Sequence, residues 1–192
     1  RYLEAKKHIR SHVEESPEKE IHVLAVPSGY ARELREIAHE LYETNHPAHQ
    51  KTTWHMLDLD KELLTKLQGN DDFRAHPFSF WTGNALHPES YKQIKQADII
   101  VSMGFTEFLE DEDVLKFYQL VYNHLKTGGV FITSGMKRHK ISEYMLKHLA
   151  EIHTRYRDST KLTELARKAG FSDIHSYEDN HGIQTILVGK KT

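Results

Sequence analysis

Residues 21–38 read IHVLAVPSGYARELREIA, and the apolar spacing changes partway through them. Ile21, Val23, Leu24 and Val26 form a near-continuous apolar run, the pattern of a strand covered on both faces. Beyond Pro27-Ser28-Gly29-Tyr30-Ala31 the apolar residues fall at Leu34, Ile37, Ala38 and Leu41, the spacing of one helix face. A buried strand feeding a helix through a tight turn opens the α/β sheets whose ligands sit outside the carboxyl ends of the strands. The turn is therefore the first place to look for a cofactor.

Working outward, the same alternation of periods recurs. Upstream, Ala5, Ile9 and Val13 repeat at helical spacing within residues 1–16, and Ser16-Pro17 ends the pattern, which predicts an amphipathic helix beside the sheet. Its His8 and His12 share a face at a spacing able to grip a metal, but no third ligand is evident and both are expected in solvent. Downstream, residues 53–57 read as a second strand, and Asp60 is placed to cap a helix through Leu63, Leu64 and Leu67 that stops at Gly69. Residues 70–77 read as turns, 78–81 as a third strand, 89–96 as a short helix and 97–102 as an almost wholly apolar central strand. Acids at 110–113 and a stripe at Val114, Tyr118, Val121 and Leu125 mark the clearest helix. A strand at 130–133, helices about 142–153 and 160–169, and a hairpin from 173–177 and 184–188 complete the chain. Five strands thus alternate with helices, and two more end antiparallel.

At 192 residues the chain fits one domain with a short appendage, divided here as a helix or lid at 1–17 and a sheet domain at 18–192. A net charge of -2 without a basic block argues against nucleic acid, and no apolar run is long enough to span a bilayer. The absence of cysteine excludes disulfides, thiolate zinc sites and covalent cysteine chemistry. A cytoplasmic setting is expected, and the start at Arg1 suggests a piece of something longer. The fifteen histidines are scattered, and His46-Pro47-Ala48-His49 is broken by proline, so no metal is expected. Oligomeric state is not readable.

Four turns and a tail carry the functional reading. They are VLAVPSGYARE at 23–33, Asp58-Leu59 after the second strand, Gly83-Asn84-Ala85-Leu86 after the third, and the long stretch ADIIVSMGFTEFLEDEDVLKFYQLVYNHLKTGGVFITS at 97–134. The tail is RYRDSTKLTELARKAGFSDIHSYEDNHGIQTILVGKK at 155–191. In this order they resemble the class I S-adenosylmethionine-dependent methyltransferase superfamily over residues 18–190. The resemblance implies a seven-stranded, mostly parallel, doubly wound sheet with a C-terminal antiparallel hairpin and helices on both faces. It also implies S-adenosylmethionine as cofactor, S-adenosylhomocysteine as product and, from the tail, a small-molecule acceptor.

By that resemblance Val26, Pro27, Ser28, Gly29 and Tyr30 lie against the methionine end of the cofactor. Asp58 takes the ribose hydroxyls, which a carboxylate can accept together. Leu59 flanks the adenine, and Asn84, beside Ala85, stands where the family has an acid for the adenine amino group. Ser102, Met103 and Gly104 end the fourth strand at the switch point. Tyr2, Glu107, Tyr144 and Tyr156 are the candidates for the acceptor side, whose lid is expected from residues 1–16 and 136–158. Arg157 is read as solvated. No catalytic residue is named, because in-line displacement at a sulfonium methyl requires alignment rather than an obligatory base.

The first turn departs from the family pattern. Ala25 stands where an acid usually holds the cofactor ammonium, and Pro27 and Ala31 replace glycines. Proline removes an N–H, and the Ala31 methyl is expected where backbone and ligand approach closely. A rival reading follows, a non-catalytic protein that keeps the fold as a binding or interaction scaffold. A nicotinamide-dependent oxidoreductase would need G-x-G-x-x-G, which PSGYAR does not supply. SMGF after the fourth strand also differs from the Asn/Asp-Pro-Pro-aromatic turn of amino-group nucleic-acid methylases.

Overall fold

The structure is a computed structural model and describes residues 2–15, 19–138, 154–179 and 182–192. The strands are β1 (Ile21–Ala25), β2 (Thr52–Asp58), β3 (Phe78–Thr82), β4 (Ala97–Ser102), β5 (Leu125–Met136), β6 (Ser172–Glu178) and β7 (Gln184–Lys190). The helices are α1 (Tyr2–Glu14), α2 (Arg32–Glu43), α3 (Ala48–Lys51), α4 (Lys61–Gln68), α5 (Asp71–Arg74), α6 (Asp111–His124) and α7 (Ser159–Lys168). Short 3-10 turns occupy Pro88–Tyr91 and Thr106–Phe108.

All seven strands form one sheet in the order β3-β2-β1-β4-β5-β7-β6. β1 to β5 run parallel, and β7 runs antiparallel to both β5 and β6. The order reverses between β1 and β4, so the carboxyl ends of these two strands flank the crevice that such sheets offer to a ligand.

Side-chain alternation along the strands feeds two cores. On one face Val23, Trp54, Met56, Ile99 and Ile132 pack beneath α1, α2 and α4, with Ile9, Leu34 and Leu64 among the helical contributors. On the other, Leu24, Leu57, Ile100 and Phe131 pack beneath α6 and α7 through residues such as Phe117, Tyr118 and Leu165. The chain is therefore doubly wound, and the clean switch from period two to period 3.6 at residues 26–31 is what allows it. Asp60 and Asp158 cap α4 and α7, their carboxylates accepting from the N–H of Leu63 and Lys161 at 2.9 Å each.

Three elements differ from the sequence reading. The helix expected at 89–96 is only the 3-10 turn at Pro88–Tyr91. Strand β5, expected at 130–133, runs for 12 residues because β7 pairs with it from Val130↔Lys190 to Met136↔Gln184, a long-range partner that no local pattern reveals. The turns at 70–77 include the short α5. The helix expected at 142–153, and Tyr144 within it, lie outside the described residues.

The amino half of the sheet carries histidines in its core. His22 Nδ1 lies 3.1 Å from His55 Nε2, the rings are stacked, and both side chains are buried. Burial, followed by the neighbouring His22, pushes the His55 imidazole down to about 4. His8, expected in solvent, is half-buried instead, because its Nε2 meets the Tyr177 hydroxyl at 2.7 Å while that hydroxyl donates to Glu4 at 2.8 Å. Among the described residues no group of three or more histidine, aspartate or glutamate side chains is placed to hold a metal ion. Among them, too, no helix is long and apolar enough to cross a membrane.

Candidate cofactor and acceptor site

The turn leaving β1 is held by backbone hydrogen bonds. The N–H of Val26 donates to the Val101 carbonyl at 2.9 Å, continuing the ladder with β4, and the N–H of Ser28 donates to Leu57 at 2.9 Å, tying the turn to β2. Gly29 adopts φ +49°, and a methyl group built on it would meet no atom within 4 Å. The backbone at Gly29 thus borders open space, which a side chain there would fill. Ala31 is also left-handed, at φ 36° and ψ 49°, and starts α2 without a side-chain cap.

Asp58 joins this turn to the end of β2. Its Oδ2 accepts from the Gly29 N–H at 2.8 Å and its Oδ1 from the Asp60 N–H at 3.0 Å. Each carboxylate oxygen retains a further lone pair, so the group can brace the turn and still accept from a ligand. Leu59 and Tyr30 are 69% and 72% exposed, leaving two large apolar side chains uncovered beside Asp58 and Gly29. Pro27 is half-buried and Ser28 is buried.

The neighbouring strand ends supply the remaining candidates. After β3, Asn84 Oδ1 accepts from the Leu86 N–H at 2.9 Å, a local turn bond, and the buried Ala85 carbonyl accepts from the Tyr91 hydroxyl at 2.7 Å. At the end of β4, Ser102 is only 1% exposed, and its hydroxyl has no hydrogen-bond partner among the described residues. Met103 is half-buried against the α1–α2 core, and Gly104, at φ +80°, donates its N–H to Ser134 Oγ at 3.0 Å. Residues 26–30, 58–59 and 102–104 thus stand on the adjoining ends of β2, β1 and β4, with Asn84 and Ala85 beyond β3 at the edge.

Of the acceptor-side candidates, Tyr2 opens α1 with its hydroxyl bonded to Glu36 and the Arg32 guanidinium 4.7 Å from its ring centre. Glu107 is 4% exposed within the 3-10 turn after β4 and already engaged by the protein. Tyr156 forms a lone parallel bridge with Met136, and the Arg138 guanidinium lies 5.9 Å from its ring centre.

Arg157, read from sequence as solvated, is the largest correction. It is 4% exposed, and its guanidinium donates to the Thr106 carbonyl at 2.7 Å, the Leu109 carbonyl at 2.6 Å and Asp111 at 2.9 Å. One planar side chain therefore staples the segment before α7 to the turn between β4 and α6. Burial works against the Asp111 carboxylate, but Lys161 and Arg157 outweigh it and hold its pKa below the usual range. The sequence contained no sign of this, because the partners lie 46 to 51 positions away and two of them are backbone carbonyls.

No protein-family model matches the chain, and no curated protein matches it by sequence. Solved structures do. An O-methyltransferase family protein from Burkholderia thailandensis superposes with a TM-score of 0.70 at 15% identity, covering 98% of this chain and 56% of its own. Human N-acetylserotonin methyltransferase, solved with S-adenosylmethionine, gives 0.66 at 15% identity over 88% of this chain and 47% of its own. Magnesium protoporphyrin IX methyltransferase from Synechocystis, with bound S-adenosylhomocysteine, gives 0.67 at 9% identity over 99% and 84%. The chain has the class I S-adenosylmethionine-dependent methyltransferase fold. It spans about half the length of the first two of these structures.

Within the methyltransferase fold the departures in the first turn take on a definite shape. Ala25, at the position of the usual acid, is 2% exposed, and Ala31 is 4% exposed; both belong to the core beneath α1 and α2. The Ala31 methyl, expected to crowd a ligand, is thus packed in the interior, while the glycine that this turn retains is the one bordering open space.

Proposed function

We propose that the protein binds S-adenosylmethionine at the carboxyl ends of β1, β2 and β4 and transfers its methyl group to a nucleophilic atom of a small molecule. The observation that carries this reading is the Asp58 carboxylate, which braces Gly29 at 2.8 Å while keeping lone pairs for a diol, next to backbone that borders open space. The cofactor would supply an electrophilic sulfonium methyl; the chain supplies binding, orientation and exclusion of water. Asp58 accepts from the ribose hydroxyls, and the exposed Leu59 offers its apolar surface to the adenine. Asn84, whose oxygen is shared with the Leu86 N–H, has its amide group to offer the adenine edge. The buried Ser102 hydroxyl, without a partner among the described residues, stands at the end of β4. With no acid at position 25 and Glu107 engaged inside the protein, the methionine ammonium falls to backbone carbonyls of the first turn. Arg157 holds the β4–α6 turn on the acceptor side, and a cytoplasmic setting accords with such an activity.

Calorimetric titration with S-adenosylmethionine and S-adenosylhomocysteine tests the proposal. Saturable binding that Asp58→Ala abolishes is the expected result. Failure of either compound to bind at millimolar concentration would overturn it in favour of the scaffold reading that the altered first turn motivates.

A further inference from the structure

The proline-broken tract from His46 to His49 supplies no ligand pair of its own, since His46 Nδ1 turns back to accept from the Ala48 N–H at 3.2 Å. The fold brings His49 a partner from elsewhere. His49 lies in α3, just ahead of β2, and His76 lies between α5 and β3. Because β2 and β3 are parallel neighbours, with Trp54 beside Phe78, the residues that precede them meet at the amino edge of the sheet. His49 Nε2 and His76 Nδ1 end 3.3 Å apart.

That separation has a chemical meaning. A divalent ion roughly 2.0–2.1 Å from each of two imidazole nitrogens, at a tetrahedral angle, holds those nitrogens about 3.3 Å apart. The two rings are nearly perpendicular, at 83°, with centres 5.5 Å apart, so each can present its in-plane lone pair to a shared point without collision. With both rings neutral, one facing nitrogen donates to the other. A tautomer change that moves this hydrogen to the far side of its ring turns both lone pairs inward, with no net loss of a proton.

The surroundings favour the neutral, ligating form. Burial lowers the pKa of both imidazoles, and at His76 the neighbouring His49 and His39 add to it. Asp72, whose carboxylate accepts from Arg35 at 2.9 Å, pulls the other way at His76 and so favours positive charge beside it. His76 is buried, whereas His49 is half-buried and the exposed Tyr42 places its ring 5.2 Å from His49 and 5.8 Å from His76, so the pair is approached from solvent on the His49 side.

We infer that His49 and His76 form a two-imidazole clip for a divalent transition-metal ion. Imidazole nitrogen selects copper, nickel and zinc over magnesium and calcium, and copper(II) is held most tightly. Among the described residues no third histidine or carboxylate completes a ligand set, so water fills the remaining positions and the site is an open one. The clip is independent of methyl transfer, since neither histidine stands at the carboxyl ends of the strands.

Titration of the full chain with copper(II) and with zinc(II), read by calorimetry and, for copper, by electron paramagnetic resonance, tests the inference. Binding should be saturable below about 100 µM, tighter for copper than for zinc, with at least two imidazole nitrogens in the copper spectrum. His49→Gln, at a half-buried position, should weaken it by at least about tenfold, and His76→Gln should do the same where its melting midpoint shows it folded. The combined His8→Gln and His12→Gln variant, which removes the spaced pair on α1, and Asp58→Ala should both leave the affinity unchanged. Failure of both ions to bind at roughly 1 mM, a copper spectrum with a single imidazole nitrogen, unchanged affinity in His49→Gln, or loss of binding in the His8 and His12 variant would each overturn the inference.

Discussion

The two ends of the sheet are built from different chemistry. At the carboxyl end the groups are backbone N–H donors, the carboxylate of Asp58, the hydroxyl of Ser102 and the permanently charged Arg157, which closes the β4–α6 turn. At the amino end and just inside it stand His8, His12, His22, His55 and His175 with Lys19 and Lys190. The carboxyl end thus relies on a guanidinium whose fork is filled by the protein, whereas the amino end holds imidazoles, those of His8, His22 and His55, whose pKa values burial lowers first of all.

The sharpest way to break the carboxyl end is Arg157→Ala. It leaves two carbonyls without their donor and Asp111 with Lys161 alone, and should cost about 3–4 kcal/mol of stability by urea denaturation, toward the low side for a buried ion pair because Asp111 is half exposed and keeps that lysine at 3.1 Å. Arg157→Lys, which keeps the charge but not the planar fork, should recover only part of that loss.

The amino end should yield to acid next. The folded-state pKa of His55, about 4, lies below its unfolded value of 6.5, so between these values the unfolded chain binds more protons. The stability this group contributes is then complete above pH 6.5, falls as pH drops toward 4, and levels off below; the loss is about 3 kcal/mol. The pKa values of His22 and His76 are lowered in the same direction, mainly by burial, and deepen the fall. His55→Gln should flatten the stability profile between pH 4 and 6.5 relative to the parent, a difference read from denaturation midpoints across that range.

A smaller effect, specific to the cradle, is expected from Asp58→Ala. Two backbone donors lose an acceptor, for about 1.5–2 kcal/mol by denaturation, while calorimetric binding of S-adenosylhomocysteine disappears. A ligand affinity that survives this change would separate the brace from the ligand contact. The smallest change is Asp158→Ala, which removes the α7 cap beside Arg157 and should cost about 1 kcal/mol without altering cofactor binding.

Much of this architecture is legible in residue order. The period switch at Val26–Leu34, the cap at Asp60, the apolar β4 and the closing hairpin all follow from spacing within a few residues, because strand and helix bury faces with periods of 2 and 3.6. The strand-end turns could be located for the same reason, and with them Gly29, Asp58, Asn84 and Ser102. Tertiary structure alone decided what those residues touch. It closed Asp58 onto Gly29 across 29 positions, buried Arg157 against carbonyls about 50 positions away, drew β5 out along β7, and set His22 against His55. Each is a contact between segments remote in sequence that satisfies polar groups, and local periodicity carries no record of such partners.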